Sequence, residues 1–121
     1  MAEHIRTGQK GERLAQNYLK RHRYQIIASN WRFKRAEIDI ITEKNGILIF
    51  VEVKTRTNTS FGTPEKFISE QKMDFILEAA SQYMLSTGYN GEVRFDVIAV
   101  ILSGRSDHKL VHYKDAFFGE W

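Results

Sequence analysis

Two short stretches of this 121-residue chain carry charge where a buried strand would carry none. In residues 47–54, ILIFVEVK, Glu52 and Lys54 interrupt an apolar run. A two-residue separation puts both on one strand face, roughly 6 to 7 Å apart. Burying a carboxylate and an ammonium costs several kcal/mol per ion unless they are paired or metal-bound, so stability alone does not account for them. In residues 36–41, AEIDII, Glu37 and Asp39 share one face and Ile38 and Ile40 the other. If the two strands pair, Asp39 and Glu52 bring two carboxylates to one end of a sheet with a lysine beside them. Such hard oxygen ligands suit Mg²⁺ or Mn²⁺. A metal-activated water then becomes the nucleophile, and Lys54 would position it, help deprotonate it, or neutralise charge building on a phosphate. The plainer alternative is a surface Glu52–Lys54 pair on an edge strand, against which the apolar flanks count.

Glu12 is a third carboxylate of interest. It borders the apolar stripe of a helix, with Ala15 and Leu19 three and seven residues on, and so can face the sheet. Lys72 holds a similar place on a later helix beside Phe75, Ile76, Ala79 and Tyr83, where snorkelling would also explain it. Other groups point elsewhere. Asp96 interrupts a strand and is expected to satisfy nearby backbone or Arg94, and His108 and His112, in a turn and a strand, share no helical face for zinc. There is no P-loop, no G-x-G-x-x-G and no G-x-S-x-G, which leaves nucleotide and serine-nucleophile chemistry without their usual frames.

The elements that must position these residues follow from periodicity. Residues 8–23 form an amphipathic helix: Gly11, Leu14, Ala15, Tyr18 and Leu19 make the apolar stripe, the opposite side is basic, and Thr7 is the expected N-cap. Three strands are predicted at 24–31, 37–42 and 46–55, joined by short polar loops as an antiparallel meander. Residues 56–64, with the only proline, read as an exposed loop that would help choose a substrate. A second helix runs from 69 to 85 and stops at Gly88. The nearly continuous run VRFDVIAVIL within 92–102 should be a central strand buried on both faces. A polar turn at 103–109 and an edge strand, LVHY, at 110–113 complete the order.

The length fits a single domain over 1–121. Cysteine is absent, which removes disulfides, thiolate metal sites and thiol nucleophiles. Neither a signal-peptide stretch nor a run of ~20 apolar residues is visible, so a cytoplasmic location without membrane attachment is expected. The net charge of +3 conceals an asymmetry. Residues 1–35 hold nine basic and two acidic side chains, a balance of +7, which leaves −4 for the remainder. A basic half suggests a polyanionic partner. Lys10, Arg13, Lys20, Arg32, Lys34, Arg35 and Arg56 are the candidate phosphate contacts.

Asp39 followed by Glu52-Val53-Lys54 resembles the D…(D/E)xK signature of the restriction-endonuclease-like superfamily. More specific is the series GQKGERLAQNYL (8–19), SNWR (29–32), AEIDII (36–41), FVEVKTR (50–56) and RFDVIAV (94–100), with a lysine-bearing helix before the last. That series is similar to the bacterial YraN-like family of uncharacterised predicted endonucleases, itself similar to archaeal Holliday-junction resolvases, over about residues 8–118. The resemblance implies an α/β (α+β) fold with an αβββαβ core and a mixed central sheet flanked by helices. It further implies a Mg²⁺- or Mn²⁺-dependent endonuclease acting on DNA, branched or structured DNA included. Asp39, Glu52 and Glu12 would be metal ligands, Lys54 the catalytic lysine, and Glu37 and Lys72 a second tier. A resolvase needs two active sites, which a homodimer would supply. Ala36 replaces the glycine that usually precedes Glu-Ile-Asp, with an effect expected only on the turn before it. The alternative is a non-catalytic nucleic-acid-binding or protein-interaction module on the same fold.

Overall fold

The computed structural model describes residues 2–57, 68–104 and 107–116, with side chains from Arg6 onward. Helix α1 spans Ala2–Arg21. It begins earlier than the expected cap at Thr7, because residues 2–7 contain no glycine or proline to stop it. Glu12 therefore sits in the middle of the helix. Strands β1 (Gln25–Phe33), β2 (Ala36–Lys44) and β3 (Ile47–Arg56) follow as the anticipated antiparallel meander. The turn Asn45–Gly46 has both residues at positive φ, 53° and 79°, the pairing that two-residue hairpins favour. In the β1–β2 turn the positive φ falls on Lys34 (56°), so Ala36 begins β2 without strain where a glycine was expected.

Helix α2 (Glu70–Thr87) is capped by Ser69, whose hydroxyl accepts from the Lys72 N–H, and ends at the left-handed Gly88. It carries the chain across to β4 (Val93–Ser103), which lies parallel to β3, and β5 (Asp107–Tyr113) pairs antiparallel on the far edge. The sheet order is β1-β2-β3-β4-β5. Strand β5 is longer than LVHY: pairing runs back to Ser103–Asp107, since an edge strand with one exposed side tolerates Asp107, His108 and Lys109.

Two apolar layers hold the sheet. Ala15 and Leu19 of α1 pack with Ile40, Ile49, Val51 and Ile98, and Ile76 and Ala80 of α2 pack with Ile38, Ile41, Phe50 and Phe95. Gly11 brings α1 down on β3, where a Cβ would collide with the Thr55 hydroxyl and come within 2.9 Å of its Cβ and Cγ2. Among the described residues no helix is long and apolar enough to cross a membrane.

A second polar cluster fastens the α1 side. Asp96, fully buried, receives Arg94 in a two-pronged contact at 2.9 Å each, the Asp115 N–H at 2.9 Å and His112 Nε2 at 2.7 Å. The Tyr18 hydroxyl meets His112 Nδ1 at 3.0 Å. Burial would raise the Asp96 pKa, but bonds from His112, Arg94 and Asp115 outweigh it and hold the carboxyl below its usual range. Asp96 thus serves Arg94 and the backbone, as expected, and His112 serves Asp96.

Gly11→Ala is expected to cost about 1–3 kcal/mol in urea unfolding, with partial recovery on adding Thr55→Ala. Asp96→Ala, which strands Arg94 and His112, is expected to cost about 3–5 kcal/mol in the same measurement.

Candidate functional site

The β2–β3 ladder ends at the pair Ile40–Val51. Two residues further along β3, the Val53 N–H donates to Asp39 Oδ2 at 2.8 Å, so a side chain takes the position of the departing strand. The sheet kinks in this row. Ile38 packs under α2 and Ile40 under α1, which breaks the strict alternation expected for residues 36–41. On the neighbouring strand Asn30, between the pairs Ser29–Ile40 and Trp31–Ile38, takes a left-handed φ of 53°, a conformation asparagine tolerates better than most residues. The split leaves a gap beside a carboxylate from β2 and one from β3. The Ile40–Val51 register sets Asp39 opposite Glu52, and the end of backbone pairing leaves the Val53 N–H to the Asp39 carboxylate.

Glu52 is buried, with 4% of its side chain exposed, and two ammonium groups approach its Oε2: Lys72 Nζ at 2.6 Å and Lys54 Nζ at 3.6 Å. Asp39 shares a hydrogen bond with Glu52. Burial, the Glu52 charge and that shared hydrogen bond push the Asp39 carboxyl up to about 9, against the pull of the Val53 N–H. The Asp39 carboxyl is therefore biased toward its protonated form. Burial also raises Glu12, helped by the charges of Glu37 and Glu52 and opposed by a hydrogen bond from Asn30. Lys54 is shifted down by burial and by neighbouring Lys72 and Arg56, with Glu52 opposing. For Lys72 burial works against the charge, yet Glu52 carries the net shift upward.

Asp39, Glu52, Lys54 and Lys72 thus come together, and Glu12 stands within electrostatic reach of the pair. Glu37 lies beside Glu12 and pairs with Arg32 at 3.1 Å. Among the described residues, no three acidic or histidine side chains form a ready-made metal cage. The donor set nevertheless fits a divalent cation at Asp39 and Glu52. Both are hard oxygen ligands, and they lie close enough to interact with each other. Arg13, Lys20, Arg32, Lys34, Arg35 and Arg56 are exposed, and Lys10 is half-buried. Residues 58–64 of the expected substrate loop lie outside the described residues. Asn30 was given no role by sequence reasoning. Its signal was slight, a turn-prone residue inside a run of strand formers.

Helix, three-strand meander, crossover helix and parallel fourth strand are the αβββαβ order of a restriction-endonuclease-like α+β protein, with the acid–lysine cluster at the split between β2 and β3. The chain belongs to the Uncharacterised protein family UPF0102, whose sequence model matches residues 11–100. A UPF0102 protein of Flavobacterium psychrophilum is 42% identical over 118 residues, 98% of each chain. One from Bacteroides fragilis is 42% identical over 98% of this chain and 97% of its own. Another, from Chlorobium phaeobacteroides, is 40% identical over 93% of this chain and 94% of its own.

The Asp39 shift fixes a dependence of stability on pH. The folded carboxyl keeps its proton to about pH 9, while the unfolded chain releases it above its ordinary value of 3.8. Stability from this group is full below that lower value and falls as pH rises toward the upper one. In EDTA, wild type is expected to lose up to about 1.4 kcal/mol per pH unit relative to Asp39→Asn between pH 5 and 8. Denaturant titrations at each pH check it, and parallel curves would remove the assigned proton.

Proposed function

We propose that this protein is a divalent-metal-dependent nuclease that hydrolyses DNA phosphodiester bonds, with branched or structured DNA as its substrate. The observation that carries the reading is the meeting of Asp39 and Glu52 with Lys54 at the split end of the sheet. Buried charge of this kind is costly to maintain, and its clustering with shifted proton affinities is typical of reactive sites.

A cation held by Asp39 and Glu52 would supply the Lewis acidity that polarises a phosphate and makes water easier to deprotonate. The protein's own groups do the remainder. The Val53 N–H fixes Asp39, and Glu12, hydrogen-bonded by Asn30, adds negative potential from the α1 side. Lys54, only 16% exposed, holds its proton less firmly than an ordinary lysine. That suits an Nζ that gives or takes a proton beside a phosphate, and its charged form offsets the negative charge of the transition state. Exposed Arg13 and Lys20 on α1 and Lys34 and Arg35 at the β1–β2 turn would grip backbone phosphates, contacts that orient a duplex without reading its sequence. Cutting opposed strands of a junction would take two copies of the chain.

The test is incubation with Mg²⁺ or Mn²⁺ and linear, flapped and four-way DNA. Asp39→Ala and Lys54→Ala are each expected to lower cleavage about 100-fold or more. Mn²⁺ should raise the melting temperature of wild type but not of Asp39→Ala. Cleavage that survives both substitutions overturns the assignment. DNA binding that is salt-dependent, indifferent to metal and never followed by cutting would instead identify a binding module.

A further inference from the structure

Beside the acid–lysine cluster, two adjoining clefts run between the β1–β2 turn and the N-terminal half of α2. The first, about 280 Å³, is lined by Arg35, Gln71, Lys72 and Phe75 among others. The second, about 260 Å³, continues past Phe75 to Phe33 and Lys34. Arg35, Ala36 and Phe75 belong to both, so together they make one groove. Its inner end is Lys72, whose ammonium rests on Glu52, and its outer end is the turn itself.

Three properties of the groove select an occupant. Its apolar floor offers two half-buried aromatic rings, Phe75 and Phe33, and ring faces are where unpaired bases stack whatever their sequence. Its rim is cationic. Lys34 Nζ lies over the Phe33 ring, 5.2 Å from its centroid, and Arg35 is exposed at the shared waist. Of the lining acids Glu37 is held by Arg32, and Glu78 lies in the outer cleft alone. The third property is size. Each cleft is at the small end of the ~300–1,000 Å³ of ligand pockets, room for a flat ring and its sugar but not for a duplex.

We propose that this groove binds an unpaired nucleotide of a single-stranded DNA segment, its base against Phe75 and its phosphates between Arg35 and Lys72. The inference rests on the nucleic-acid part of the preceding reading and sharpens it. The strand leading to the site is unpaired on the α2 side, so flaps, forks and junction arms are favoured over continuous duplex. Alternating aromatic and cationic side chains are the usual composition of a surface that tracks one strand.

Anisotropy of labelled 12-nucleotide probes in EDTA tests this without any cleavage. The probes are an oligothymidylate, an abasic strand of the same length and charge, and a blunt 12-base-pair duplex. The oligothymidylate is expected to bind about tenfold tighter than the abasic strand, the range in which loss of a stacked base falls, and tighter than the duplex. Phe75→Leu, which keeps the packing apolar, should bring the two single strands level. Arg35→Ala should weaken both and lower the slope of log affinity against log salt by about 0.7. Equal wild-type affinity for normal and abasic strands overturns the proposal whether or not the variants fold. So does a polyglutamate peptide of matching charge that competes as well as the oligothymidylate. Because no cutting is read, a protein that prefers the oligothymidylate yet cleaves nothing upholds the groove and removes the nuclease reading. One that cleaves but ignores bases does the reverse.

Discussion

Everything at the candidate site depends on one interrupted ladder. Backbone pairing between β2 and β3 stops at Ile40–Val51, and the amide that would have continued it is taken by the Asp39 carboxylate. A buried N–H must have a partner, so whichever acceptor stands there is fixed in place. Here it is a side chain that keeps a second oxygen for other work. Continued in register, the ladder would set Asp39 directly opposite Glu52 on one face, so the break changes what the Val53 N–H bonds to and not which carboxylates are neighbours.

The surrounding structure is arranged to hold that split open. Gly11 seats α1 against Thr55 at the end of β3, which brings Glu12 to the gap, while α2 delivers Lys72 from the other layer. Asn30 bends β1 in the same row and hydrogen-bonds Glu12. Away from the gap, the Arg94–Asp96–His112–Tyr18 chain of contacts joins α1, β4 and β5. The two parts of the sheet are therefore fastened by different chemistry, the first by a satisfied buried network and the divided part by lysines that balance its acids.

Much of this was legible in the chain. Charges inside an apolar run gave away Glu52 and Lys54, since desolvation makes such residues conspicuous, and the strand and helix order followed from periodicity. The alternation rule failed at Asp39–Ile40, because it assumes an unbroken strand, and a kink set by two partner strands leaves no local mark. Lys72 was ambiguous for a related reason: a lysine at the edge of an apolar stripe reads the same whether its ammonium ends in water or on Glu52. The pairing of His112 with Asp96 lies sixteen residues apart in sequence and was reachable only through the β4–β5 register. Helix α1 outran its expected cap because Thr7, a good capping residue, is also an acceptable helical one.

Among the described residues no buried side-chain nitrogen or oxygen lacks a partner, and at Glu52 one carboxylate oxygen is met by two lysines. This gives inheritance an unusual constraint. A lineage that exchanged Glu52 for a neutral residue would leave two cations beside each other without their shared counter-charge, and would benefit from losing one of them as well. Drift at these three positions should then come in correlated steps.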